Sequence, residues 1–220
     1  DIERIKALEY IMDNVTEAQP LKPFGAPYIH LGEISKRISE LKNEGISPED
    51  LKLYSKTISP DGINFEEKHV SRLKALAEIY EKYEKLKDSE AEILFDERGR
   101  KDFDDMILIA IEAIKREQGL REDFEKKYKY IMVDEYQDTN GAQLELLFSM
   151  LDKTEQNVCV VGDDDQSIYR FQGASSTNFK RFENKFPQAK IISLKTNYRS
   201  TQDIVDLSSE IISQIPDEER

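Results

Sequence analysis

A chain of 220 residues has room for one or two domains, and 38% hydrophobic against 35% charged residues suits long exposed helices more than one large buried core. The formal net charge of −13 argues against a general electrostatic footprint for nucleic acid, so any such binding has to rest on local strips. One cysteine excludes an internal disulfide, His30 and His69 have no neighbouring zinc-ligand pattern, and no apolar run or signal-peptide pattern points to a membrane or to export, which leaves the cytoplasm as the default.

The first hundred residues read as helices. Ile5, Leu8, Met12 and Val15 follow one apolar face, and Leu31, Ile34, Ile38 and Leu41 follow another that Gly45 brings to a stop, with Pro20, Pro23 and Pro27 breaking the chain between them. At Ile46-Ser47-Pro48-Glu49-Asp50-Leu51 several start signals coincide: Ser47 as cap, Pro48 at the first helical position, Asp50 reaching back and Ile46 placed to staple onto Leu51. Val70, Leu73, Leu76, Ala77, Tyr80 and Tyr83 mark the buried stripe of a longer helix. A basic strip would have to be built from Lys36, Arg37, Lys42, Lys52, Lys56, Arg72 and Lys74, but most of these read as charge pairs on a solvated surface, interleaved with Glu and Asp at helical spacing.

The run from Met106 to Ile111 could be a strand by periodicity alone, yet its continuation through Glu117 favours a helix buried on most sides. Asp102, Asp104 and Asp105 then sit at the positive end of that helix, where capping is a simpler role than metal binding.

Ile131-Met132-Val133 is a short apolar run that ends abruptly in Asp134 and Glu135, and it reads as a parallel strand buried on both faces. Functional side chains of such sheets sit at the carboxyl ends of the strands. There Asp134 can reach a hydrated Mg²⁺ on nucleotide phosphates, and Glu135 can orient and deprotonate an attacking water. Asp138 and Thr139 or Asn140 can cap the next helix, marked by Ala142, Leu144, Leu147, Phe148 and Leu151. A solvated acidic turn is the plain alternative for Asp-Glu-x-Gln-Asp.

A second run, Val158 to Val161, leads through Gly162 into Asp163, Asp164, Asp165 and Gln166, and shifts that balance. Three adjacent aspartates repel one another and need a cation or hydrogen-bonding backbone nearby, while the Gln166 amide can donate to a phosphate oxygen without adding charge. Cys159, inside the run, reads as a small buried hydrophobe. Tyr169 and Phe171 lie in a polar, Gly-bounded stretch and suit stacking on bases better than core packing. A third unit, Ile191 to Leu194, reads as a strand leading through Asn197-Tyr198-Arg199-Ser200 into a helix capped at Ser200-Thr201-Gln202-Asp203, so Arg199 is placed between two rigid elements.

Together these three units resemble motifs II, III and IV of the superfamily 1A DNA helicases of the UvrD/Rep/PcrA type, over roughly residues 101 to 212, with the Asn43 to Asp50 segment also similar. The resemblance implies that Gln166 contacts the γ-phosphate, that Tyr169 and Phe171 stack on single-stranded DNA, and that Arg199 comes from a second RecA-like domain as an arginine finger. Phe171 and Gln172 stand where many relatives have Trp and Arg; stacking survives the first change.

The expected fold is α/β: an incomplete RecA-like parallel sheet of the P-loop NTPase kind with an all-helical amino-terminal subdomain. Residues 1–100 would form the helical, 1B-like part, 101–185 the carboxyl-terminal part of the first motor domain, and 186–220 the start of the second. The sheet order that the resemblance implies sets residues 130–134 beside 157–161, so these should pair in parallel. The resemblance implies, as the expected function, part of an ATP- and Mg²⁺-dependent DNA helicase acting on single-stranded and duplex DNA, with DNA repair among its settings; the 3′-to-5′ direction and duplex unwinding rest on the resemblance alone. Catalytic roles fall to Glu135, Gln166 and Arg199, nucleotide contacts to Gln166 and Arg199, the metal to Asp134. None of the nine glycines is followed by Lys, so the phosphate-cradling Gly-Lys-Ser/Thr turn is missing. A chain beginning at Asp1 inside a helical pattern then reads as an excised, inactive piece of a larger helicase. The alternatives are the motor segment of a helicase-nuclease and a non-catalytic nucleic-acid-binding or assembly module.

Overall fold

The computed structural model describes residues 2–58, 67–88, 101–151, 157–166 and 178–214, in two compact units, Asp1–Gln118 and Gly119–Arg220. In the first unit the helices are α1 (Ile2–Asn14), α2 (Leu31–Asn43), α3 (Pro48–Thr57), α4 (Glu67–Asp88) and α5 (Asp105–Arg116), with a 3₁₀ turn at Thr16–Leu21. Their boundaries follow from local chemistry. Gly45 adopts φ +69°, and the amides of Gly45 and Ile46 reach back to the carbonyls of Lys42 and Leu41, a Schellman closure of α2. The next residue starts α3: Asp50 N–H donates to Ser47 Oγ and Ser47 N–H donates to Asp50, both at 3.1 Å, completing the capping box. We expect Ser47→Ala to lower stability by about 1 kcal/mol, read as a lower urea midpoint; an unmoved midpoint would show that the cap adds nothing here. Leu8, Met12, Leu31, Ile34, Ile38, Leu51, Ile79, Tyr80 and Tyr83 form the core of this unit.

Beneath that core lies a network the sequence did not announce. Lys42 and Lys87, 1% and 3% exposed, are enclosed by acids. The Lys42 ammonium meets Asp105 at 2.6 Å, Glu84 at 2.8 Å and Asp102 at 3.0 Å, and Lys87 meets the same three residues at 2.7, 2.8 and 3.2 Å. Arg4 and the Ser39 hydroxyl bind Asp104 at 2.9 and 2.6 Å, and Tyr83 donates to Asp102 at 2.8 Å. The capping reading of these aspartates holds only in part: Asp105 accepts the Asp102 amide at 2.6 Å, but the carboxylates mainly serve distant cations. Asp104 precedes α5 without a side-chain cap bond, because its carboxylate is committed to partners far along the chain. Glu84, Asp102 and Asp105 lie close enough to suggest a metal site, but two ammonium groups already stand among them and offset most of their charge. Lys42 is likewise buried rather than part of a solvated surface. These ties join the residues on both sides of position 100 within the first compact unit. Nor is α5 covered on most sides: Ile111 and Ile114 are buried while Met106 and Ile109 are exposed.

The second unit holds α6 (Gln118–Lys127, beginning at its border), β1 (Ile131–Val133), α7 (Gly141–Met150), β2 (Val158–Val160), α8 (Asn178–Lys185) and α9 (Gln202–Ser213). The two strands pair in parallel as expected, Ile131 opposite Val158 and Val133 opposite Val160. Asn140 is the cap of α7, exchanging bonds with Gln143. The sheet is covered on one face, where Ile131, Val133, Val158 and Val160 pack with Tyr136, Leu144, Leu147, Phe182 and Phe186. On the other face Met132 is 77% exposed and Cys159 is exposed too, so both the two-sided burial and the buried cysteine are corrected: alternation turns every second residue away from the helices.

Residues 191–197 form no strand; Ile191, Ile192 and Leu194 are exposed, and among the described residues no third strand adjoins the pair. An extended run becomes a strand only when a neighbour takes up its amides and carbonyls. Thr201 stands at the cap position of α9 but its hydroxyl makes no cap bond. Among the described residues no helix is long and apolar enough to cross a membrane.

Candidate functional site

Parallel pairing sends both strands toward one end of the sheet, and the two acidic loops emerge there side by side. Tyr136 anchors the first loop. It is fully buried and meets Phe179 and Phe182 edge-on, with ring centroids 5.3 and 5.7 Å away, while its amide donates to Val161 O at 3.0 Å. Asn178 ties α8 to the end of the same loop, donating to Thr139 O at 2.7 Å.

With Tyr136 held inward, Asp134 and Glu135 are left exposed just past β1. Asp134 accepts the Glu135 amide at 3.0 Å. Glu135 adopts φ 49° and ψ 42°, a left-handed conformation that costs a non-glycine residue about 1–2 kcal/mol. Such strain persists only where surrounding contacts impose it. One of them is Gln137, whose Nε2 donates to Glu135 Oε2 at 2.8 Å and whose Oε1 accepts the Asp163 amide of the second loop at 3.1 Å.

In that second loop Asp163 organises its neighbours, accepting the Asp165 amide at 3.1 Å and the Gln166 side-chain amide at 2.8 Å. The adjacent aspartates are thus held partly by backbone donors. Asp164 still has its carboxyl raised above the usual range, first by partial burial and then by repulsion from Asp163 and Asp165. A divalent cation would relieve that repulsion, and hard carboxylate oxygens at strand ends, Asp134 foremost, are the donor set Mg²⁺ takes.

Gly162 separates β2 from this loop. A Cβ there would collide with Gln137 Oε1 and come within 3.1 Å of both the Tyr136 nitrogen and the Phe179 ring. The glycine therefore makes room for an amide from the other loop. Gly162→Ala should push Gln137 off its partners and cost about 1–3 kcal/mol, measured by urea denaturation; wild-type stability would mean the amide is free to move aside.

The structure brings Asp134, Glu135, Gln137, Asp163 and Gln166 to one end of the sheet. It does not bring Arg199 to them. Arg199 and Ser200 donate their backbone N–H groups to Asn197 Oδ1 ahead of α9, and among the described residues no hydrogen bond or ion pair joins the guanidinium to the acidic loops. Irregular chain precedes it, so the expected rigid support is present on one side only. Tyr169, Phe171 and Gln172 lie outside the described residues. Gln137 is the residue that sequence reasoning passed over. Its signal was an amide, with both donor and acceptor, set among carboxylates that can only accept.

The profile of the UvrD/REP helicase N-terminal domain matches residues 3–187. The chain belongs to this family. It is similar to the ATP-dependent DNA helicase PcrA of Bacillus subtilis (strain 168), 49% identical over 111 residues, which is 50% of this chain and 15% of that protein. The protein of the same name from Staphylococcus epidermidis (strain ATCC 12228) is 39% identical over 176 residues, 80% of this chain and 21% of that protein. That from Staphylococcus aureus (strain Mu50) is 46% identical over 111 residues, 50% of this chain and 15% of that protein. Against these UvrD/REP relatives the chain spans 15 to 21% of their length.

Proposed function

We propose that this chain is part of the motor of a cytoplasmic, ATP-dependent 3′-to-5′ DNA helicase, contributing a 1B-like helical region (1–100), the end of a first RecA-like domain (101–185) and the beginning of a second (186–220). The observation that carries the reading is the parallel pairing of β1 with β2, which gathers Asp134 and Glu135 with the Asp163–Gln166 loop. When bound, Mg²⁺-ATP supplies the phosphoanhydride whose hydrolysis drives movement on single-stranded and duplex DNA. Asp134 holds the metal through its carboxylate. Glu135 takes the proton of the attacking water. The Gln166 amide donates to the terminal phosphate, and Arg199 supplies positive charge as the cleft closes. Tyr169 and Phe171 stack on unpaired bases, each contact contributing about 1–3 kcal/mol without reading sequence.

The test is steady-state ATPase, with and without single-stranded DNA, in the whole helicase carrying this chain. Arg199→Ala should lower turnover by about 10³-fold or more while DNA binding persists. Tyr169→Ala should reduce the DNA-stimulated increment more than the rate without DNA. Full stimulation in Tyr169→Ala would remove the DNA role from that loop. The 220 residues by themselves should hydrolyse no ATP, since no Gly-Lys pair is present to cradle phosphates; turnover stimulated by DNA in that polypeptide would refute this.

A further inference from the structure

We propose that Gln137 is a positioning residue that locks the Glu135 carboxylate and the Asp163–Gln166 loop into one geometry, so that the two loops act on nucleotide as a unit. The inference rests on the reading of Glu135 as the general base.

Four observations carry it. Gln137 is 1% exposed, and a buried amide is costly unless its donor and acceptor are both used. Both are used, and by different loops: Nε2 donates to Glu135 Oε2 at 2.8 Å, Oε1 accepts Asp163 N–H at 3.1 Å. Only one orientation of the amide satisfies both, since the carboxylate requires a donor and the backbone N–H an acceptor. Next, Gly162 leaves space that a Cβ would take from Gln137 Oε1. Glu135 also sits in a left-handed conformation, where the Gln137 bond restrains its side chain. Finally, Asp163 carries the connection onward, its Oδ2 accepting Gln166 Nε2 at 2.8 Å. A continuous series of bonds thus runs from the proposed base to the proposed phosphate contact: Glu135, Gln137, Asp163, Gln166. A turn-forming residue of purely structural use would not need to touch either end.

Two variants separate these roles. Gln137→Met keeps length and removes both bonds; Gln137→Glu keeps an acceptor for Asp163 N–H but sets a second carboxylate against Glu135. In the whole helicase we expect each to lower kcat by about 10- to 100-fold, the usual effect of removing a supporting partner of a catalytic group, with KM for ATP within about twofold. In a Glu135→Gln background Gln137→Met should cost several-fold less than in the wild type, since only its hold on the Asp163–Gln166 loop is then left to lose. In ¹⁵N-resolved spectra of the 220-residue chain, Gln137→Met should move the Asp163 backbone signal and Gln137→Glu should leave it near its wild-type position. Unchanged kcat in folded Gln137→Met, or an equal loss in both backgrounds, overturns the proposal. If Gln137→Met does not fold, normal kcat in Gln137→Glu overturns it instead. The reading beneath it fails separately: near-normal turnover in Glu135→Gln alone would remove the base, while the Asp163 signal would still report the bridge.

Discussion

We expect Glu135→Gln to lower ATP turnover of the whole helicase by about 10²–10⁴-fold, the usual worth of a positioned general base, if Glu135 has the proposed role. The exchange keeps the size of the side chain and an oxygen that can accept from Gln137 Nε2, now 2.8 Å from Glu135 Oε2, so the bridge between the loops stays in place and proton acceptance is what is lost. Nucleotide and DNA binding should persist, because neither depends on that proton. The backbone sharpens the test. Glu135 pays for a left-handed φ of 49°, which glycine adopts freely, so Glu135→Gly should lose turnover to a similar degree while leaving stability unchanged or slightly higher. Single-turnover hydrolysis and urea denaturation measure the two effects. Near-normal hydrolysis in Glu135→Gln would take the base away from this loop.

Asp105→Ala should destabilise the helical unit by about 3–5 kcal/mol, the usual cost of removing one partner from a buried set of charges. Both Lys42 and Lys87 lose a carboxylate contact shorter than 2.8 Å, and neither ammonium can reach water without opening the helices. Lys42→Met in the same chain should recover part of the loss, because the stranded charge is then gone; a double-mutant cycle by urea denaturation measures that coupling. Strictly additive losses would dissolve the network into independent contacts.

The same cluster sets a pH dependence. Burial pushes Asp102 up, but hydrogen bonds from Tyr83 and Lys42 and the charges of Lys42 and Lys87 outweigh it and hold the carboxyl down at about 2. Asp105 is also lowered, burial being outweighed by Lys42 and Lys87. A carboxyl depressed in the folded state contributes stability that is present above its unfolded value, about 3.9, and is lost as pH falls toward the folded value. Lys42 has the opposite sign. Burial lowers it, Asp105 and Glu84 raise it further, and its contribution is complete below the ordinary lysine range and withdrawn only in strong base. The urea midpoint should therefore drop between about pH 4 and 2, and Asp105→Ala should flatten that drop. A midpoint indifferent to pH in this window would contradict the network.

Where partners lie within a few residues, the sequence by itself determined the outcome. Ser47 with Asp50 and Gly45 with its backward-reaching amides define helix ends through bonds that close inside one turn. The same locality made the two strand tips readable, since a short apolar run ending in carboxylates marks its own exit. Parallel pairing was also foreseeable, because the family resemblance placed the two strands side by side.

Tertiary structure alone decided what depends on residues far apart. Lys42 meets Asp105 across 63 residues, and Gln137 meets Asp163 across 26, separations over which no periodicity carries information. An aspartate at the start of a helix has the same local signature whether or not it also meets a buried lysine; here Asp105 accepts the Asp102 amide, and the arrival of α2 and α4 added the second role. Cys159 and Met132 likewise belong to apolar runs, yet stand exposed because α7 and α8 cover only the other face. A run of apolar residues states that a segment can be buried. Which faces are covered, and which charges meet there, is fixed only when the remaining elements pack against it.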